Sequence, residues 1–150
     1  MPHYRRIWTK FTTSQDVQEM PDDTMRLAWA LLPTALDRAG RGIYNGQWLI
    51  AQVFPLREDL SGAQGRAMLD WWAEHGMILR YSVRGRDLFC IPPDAWVYYQ
   101  GDTSKEAVSE LSGPTPDLLR SYSRPDLVPL RRRSGTEAEA EAEAEAEAET

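Results

Sequence analysis

The stretch Met77-Ile78-Leu79-Arg80-Tyr81-Ser82-Val83-Arg84-Gly85-Arg86-Asp87-Leu88-Phe89-Cys90-Ile91 decides the fold. Two short runs with β-branched and aromatic residues, Met77–Val83 and Leu88–Ile91, flank a polar centre at Val83-Arg84-Gly85-Arg86-Asp87. A central glycine between two such runs signals a hairpin, because tight hairpin turns need a positive φ that glycine adopts without steric cost. Pro92-Pro93 ends the second strand, since proline has no N–H to give to a ladder.

Upstream of the hairpin the period changes from strand to helix. Thr13-Ser14-Gln15-Asp16 is a capping cluster before a short turn, Val17–Met20. Pro21-Asp22-Asp23 caps a longer helix over about Thr24 to Ala39, with Pro33 as a kink and Gly40 as its C-cap. Gln47–Phe54 reads as a short helix stopped by Pro55, and Leu60-Ser61-Gly62 opens a fourth over Ala63–His75, ended by Gly76. In the fourth, Met68, Leu69, Trp72 and Ala73 recur at helical spacing. Helices followed by a hairpin give a mainly α chain with a small β-hairpin, the layout of a winged helix-turn-helix domain.

All six tryptophans lie between Trp8 and Trp96, which marks residues 1–101 as the folded domain. From Gly101 onward Ser, Pro, Asp and Arg accumulate, including Gly113-Pro114-Thr115-Pro116, and residues 102–136 read as an extended arm. Residues 137–150 form a Glu-Ala low-complexity tail that cannot build an apolar core and reads as largely disordered.

The charge divides along the same lines. The whole chain of 150 residues has a formal net charge of −6, from 17 basic and 23 acidic residues. Seven of the acidic residues alternate with alanine from Glu137 to Glu149, so the rest of the chain has 17 basic against 16 acidic, a net of +1. Residues 1–101 are balanced at 11 of each. Any affinity for a polyanion must therefore come from clustering rather than from excess charge. Only Lys10 and Lys105 are lysines; the arginine bias suits planar contacts with phosphate or carboxylate, and equally follows from a GC-rich genome. The tail reads either as a repeat expansion without a role or as an acidic arm competing with nucleic acid for a basic surface, with Arg131-Arg132-Arg133 as its nearest target.

Several function classes are disfavoured. One cysteine, Cys90, excludes an internal disulfide framework and a Cys-based zinc site. The longest clean apolar run, Leu27–Leu32, is far short of the roughly 20 residues of a membrane helix. Arg5-Arg6 precede no secretory apolar stretch, so the expected compartment is the cytoplasm. His3 and His75 are the only histidines, and His75 beside Gly76 reads as a helix-end cap. Gly40-Arg41-Gly42 is too short for a phosphate loop, so neither a catalytic centre nor a cofactor site is expected.

Read in order, these pieces resemble the N-terminal winged-helix domain of phage replisome-organiser and related replication initiation proteins. The matching residues are Arg26-Leu27, Ala35-Leu36-Asp37-Arg38-Ala39-Gly40-Arg41-Gly42, Val53-Phe54-Pro55-Leu56 and Met68-Leu69-Asp70. Glu74-His75-Gly76-Met77-Ile78-Leu79-Arg80-Tyr81, Val83-Arg84-Gly85-Arg86, Ile91-Pro92 and the stretch from Tyr99-Gln100 to Glu106 complete the match, over roughly residues 5–112. Trp71 and Pro33 depart from the pattern. The resemblance implies a non-enzymatic DNA-binding protein of a phage or mobile element, acting in replication initiation or replisome assembly. A transcriptional regulator, or a module binding a helicase or itself, are the alternatives.

In a winged helix the helix before the hairpin enters the major groove and the wing touches backbone or minor groove. The expected DNA-binding residues are then Gln64 and Arg66 on that helix, and Arg80, Arg84, Gly85 and Arg86 on the wing. Arg5, Arg6 and Lys10 form a second basic group suited to an N-terminal arm. Trp71 and Trp72 cannot both face inward, as helical neighbours are about 100° apart. Trp71 is expected either to pack under Trp96-Val97-Tyr98-Tyr99 or to stack on a base. The expected partners are double-stranded, opened or single-stranded DNA, a replicative helicase or its loader, and a second copy of the chain.

Overall fold

The computed structural model describes residues 4–121, as mixed helix with a small three-stranded antiparallel sheet. Each of the first four α-helices begins where a short polar side chain satisfies an orphan N–H. Ser14 caps α1 (Gln15–Glu19), and Asp22 accepts from Met25 N at 2.8 Å to open α2 (Asp23–Leu31). Asn45 accepts from Trp48 N at 2.8 Å at the start of α3 (Gly46–Val53), and Ser61 opens α4 (Gly62–Glu74). The expected long helix stops earlier than its pattern suggests. Pro33 cannot continue the hydrogen-bond ladder, so Leu32–Ala35 tightens into a 3-10 turn. Gly40 therefore caps no helix. Its φ of +76° serves the turn into β1 (Arg41–Ile43), where the Trp96 ring lies against it.

The sequence reading missed β1. It pairs antiparallel with β3 (Arg86–Cys90), which pairs in turn with β2 (Leu79–Val83). The sheet order is β1-β3-β2, with Arg41 opposite Cys90 and Leu79 opposite Cys90 on the other side. The β2–β3 hairpin closes at the pair Val83–Arg86, leaving Arg84 and Gly85 as a two-residue turn.

Two apolar layers result. Phe89 points to the helices and joins a core that includes Ala28, Leu32, Leu49, Leu69 and Trp72, all fully buried. Strand alternation sends Leu79, Tyr81, Leu88 and Cys90 to the outer face, where Leu111, Leu118 and Leu119 cover them. The folded unit thus runs past the expected boundary at residue 101. α5 (Pro93–Gln100), also unforeseen, ends at Gly101, and the chain then lies back along the sheet to α6 (Pro116–Ser121). Arg38 Nη1 donates to Ser104 O at 2.9 Å, Arg41 Nη1 to Leu111 O at 2.6 Å, and the Tyr81 hydroxyl to Ser112 O at 2.6 Å. The remainder of the arm, Arg131-Arg132-Arg133 and the Glu-Ala tail lie outside the described residues.

α3 and α4 cross at a glycine contact. A Cβ on Gly46 would fall on the Gly62 carbonyl oxygen and 2.5 Å from Arg66 N; one on Gly65 would collide with the Gly46 carbonyl. Only hydrogen at these positions lets the two backbones approach so closely. Among the described residues no helix is long and apolar enough to cross a membrane.

Candidate nucleic-acid interface

The outer side of α4 and the inner side of the β2–β3 hairpin meet at Tyr44, the residue after β1. Its ring is buried, and its hydroxyl donates to Asp70 Oδ1 at 2.5 Å. The Arg80 guanidinium lies 4.1 Å from the ring centroid and that of Arg66 lies 5.4 Å away. Both cations are also paired. Arg66 Nε donates to Asp70 Oδ1 at 2.9 Å, and Arg80 holds Asp87 through Nε at 3.0 Å and Nη2 at 2.5 Å. The geometry shifts each ionisable partner. Burial, then the hydrogen bond to Asp70, raises the Tyr44 phenol to about 12. The Tyr44 hydroxyl, followed by Arg66, holds Asp70 below its usual value, and Arg80 does the same for Asp87. The cluster is close to neutral in sum and locks α4 to the hairpin.

Beyond it the hairpin projects as a charged tip. Arg84 has φ +53° and Gly85 φ +81°, the two positive values that a two-residue turn needs to follow the strand twist. Arg84 and Arg86 are exposed, and among the described residues neither has a hydrogen-bonded or ion-paired side chain. The space around Gly85 is open. Arg84 shares the strand parity of Arg80, and Arg86 shares that of Leu88 and Cys90, so the two arginines flank the tip from opposite faces of the hairpin.

The other expected residues have different positions. Arg5 is no free arm. Its side chain is 5% exposed, it pairs with Glu106 at 2.5 Å, and it donates to Pro33 O at 3.0 Å and Leu36 O at 3.2 Å. That removes it from the candidate set, because reaching a phosphate would pull a buried guanidinium away from its carboxylate and carbonyl partners. Gln64 closes a capping box, its Oε1 accepting from Ser61 N at 2.8 Å, so its amide holds the helix start rather than reading a base. Arg6 and Lys10 are exposed but belong to a different region, the rim of a cleft of about 690 Å³. That cleft is lined by Ile7, Trp8, Phe11, Trp29, Trp96 and Tyr99, among others.

Trp71 is half-buried and stacks on His75, ring centroids 3.6 Å apart and planes 13° apart. The His75 ring is held by a contact of 2.8 Å from Nδ1 to Trp71 O, at the C-cap of α4. Trp71 and Tyr99 both pack against the core that holds Trp96. Trp8 lies 5.0 Å from both Tyr98 and Tyr99, while Trp96 anchors through Nε1 to Arg38 O at 2.6 Å. Cys90 is buried, and burial pushes its thiol up to about 12.

Much of the arginine content serves the fold. Arg5, Arg26, Arg38 and Arg41 all donate to backbone carbonyls, Arg26 closing the end of α1 through Val17 O at 2.9 Å and Met20 O at 2.6 Å. The remaining unpaired positive charge of the hairpin is concentrated at its tip. Comparison with protein families, with curated proteins and with solved structures finds no match for this chain.

Proposed function

We propose that this chain is a non-enzymatic DNA-binding protein of the winged-helix type, acting in replication initiation or replisome assembly of a phage or mobile element. The order of elements supports the fold assignment: α2, the short strand β1, α3 and α4, then a hairpin whose second strand, β3, pairs antiparallel with β1. In this reading α4 enters the major groove with Arg66 outward, and the hairpin turn contacts phosphate or the narrow minor groove through Arg84 and Arg86.

One observation carries the reading. The first turn residue is an arginine at φ +53°, where Asn or Gly would fit with less strain. Backbone strain of roughly 1 kcal/mol is retained where a side chain has work to do. An unpaired guanidinium held out at the tip suits a phosphate. The place in replication rests on the resemblance over roughly residues 5–112. A salt titration of DNA binding tests the reading, with Arg84→Asn as the informative variant: it removes the charge and keeps a residue that tolerates the left-handed turn.

A second reading has its own support. The cleft beside Trp8, Phe11 and Trp29, with Ile7 64% exposed at its rim, is suited to an apolar protein segment. A protein-interaction module would use this cleft and leave the hairpin tip idle, and it predicts no DNA binding at any salt concentration.

A further inference from the structure

The Glu-Ala segment has no role in the proposed DNA contact, and among the described residues the side chains of Arg84 and Arg86 have no hydrogen-bonded or ion-paired partner. The described chain ends near the base of the hairpin, at the end opposite the turn. Ser121, the last residue of α6, borders a small cavity together with Glu74, Leu79 and Arg80. From Arg80 to Arg84 is four strand residues, about 13 Å. Fifteen residues lie between Ser121 and Glu137, a length that can span roughly 50 Å. The acidic segment therefore begins within reach of the hairpin.

Its sequence suits an extended docked form. Alternation of Glu with Ala places all seven carboxylates of Glu137 to Glu149 on one side of an extended chain, about 6.6–6.8 Å apart. On a helix the same alternation would spread them around the axis and set like charges at i,i+4. Arg66 and Arg80 already have carboxylate partners in Asp70 and Asp87, whereas Arg84 and Arg86 have none among the described residues. The tip is thus the part of the hairpin where an added carboxylate meets uncompensated positive charge.

We propose that the Glu137–Glu149 segment docks on the Arg84–Arg86 turn of its own chain and competes with DNA for it. This rests on the reading of the turn as a phosphate-binding tip. Tethering raises the local concentration of the competitor to the millimolar range for short linkers, so individually weak carboxylate contacts suffice. A face occupied nine-tenths of the time binds its ligand about tenfold more weakly.

The test compares three full-length or near-full-length proteins: the intact chain, a chain ending at Thr136, and the intact chain with all seven tail glutamates changed to glutamine. Side-chain Nε–Hε NMR signals of Arg84 and Arg86 give a readout that needs no DNA. At low salt these signals should differ between the intact chain and both variants, and converge at high salt. Affinity for a duplex oligonucleotide should rise about tenfold in both variants at low salt. Arginine signals identical in all three proteins overturn the proposal, including the case in which the tail pairs only with Arg131-Arg132-Arg133. DNA affinity unchanged by either variant overturns the competition. If the arginine signals shift but no protein binds DNA, docking stands and the DNA-binding reading fails.

Discussion

Arg80 lies over the Tyr44 ring at 4.1 Å while its guanidinium holds Asp87 across the hairpin. The same tyrosine donates its hydroxyl to Asp70 on α4 at 2.5 Å. One side chain thereby fixes the angle between the helix and the hairpin, the two elements proposed to grip DNA. Tyr44→Phe keeps the ring and removes the hydroxyl. A hydrogen bond to a charged group contributes about 1.5–3 kcal/mol, and the half-exposed Asp70 places the expected loss near the lower end. Urea unfolding should show this loss with an unchanged m-value; an unaltered midpoint would mean that the hydroxyl contributes nothing to the joint.

Acid should loosen the same joint. Asp70 and Asp87 titrate below their usual 3.8 in the fold, through the Tyr44 hydroxyl and Arg80 respectively. Asp59, lowered to about 2 chiefly by its hydrogen bond from Arg57, adds in the same direction. A depressed folded value means that the unfolded chain takes up the protons first. The stabilisation is complete above about pH 4 and is lost as pH falls through the folded values. Tm should hold steady from pH 7 to 5 and fall below 4, and Asp87→Asn should make that fall shallower. A profile that Asp87→Asn leaves unchanged would remove the carboxylate from the explanation.

The α3–α4 crossing should tolerate no methyl group. Gly65→Ala sets a Cβ against the Gly46 carbonyl, which is backbone and cannot swing aside. Overpacking of this kind costs about 1–3 kcal/mol, outweighing the better helix propensity of alanine. Thermal unfolding reads it directly. Gly85→Ala serves as the contrast, since its space is open and only the φ of +81° opposes it.

Glu106 should matter more to stability than any exposed carboxylate. Its removal leaves the Arg5 guanidinium, 5% exposed, with backbone carbonyls and the face of the Trp96 ring but no carboxylate. Breaking a buried pair from one side costs about 3–5 kcal/mol, and the carbonyls keep Glu106→Ala at the low end. Asp59→Ala at the exposed Arg57 pair should change the unfolding midpoint far less, because solvent screens that pair. Equal effects would place Glu106 among the surface pairs.

The first four helices and the hairpin were legible because their signals are local, whereas α5 and α6 were not. Ser14, Asp22, Asn45 and Ser61 cap the four helices α1–α4, and glycine at position 85 announces the turn. β1 was hidden because Arg41-Gly42-Ile43 is too short for an alternation pattern; only its pairing with Leu88–Cys90 makes it a strand. The packing of residues 102–121 was hidden for a related reason. Its anchors, such as Arg41 to Leu111 O, join positions 70 apart, and its composition is that of a linker. At the candidate site the tip was legible, but the roles of Arg5 and Gln64 were not. A basic residue near a chain start looks the same whether its partner is a phosphate or Glu106, and the polar face of a helix does not announce a capping box turned back on Ser61.

The central claim is that the Arg84–Arg86 tip contacts DNA phosphate. Its most direct test is a fluorescence anisotropy titration of duplex DNA at several salt concentrations, comparing the intact chain with Arg84→Asn/Arg86→Gln. The intact chain should lose affinity linearly in log–log form with salt, and the variant should bind more weakly with a slope shallower by about 2, near 0.9 per lost phosphate contact. Affinity independent of salt, or a variant whose affinity and slope match those of the intact chain, would contradict it.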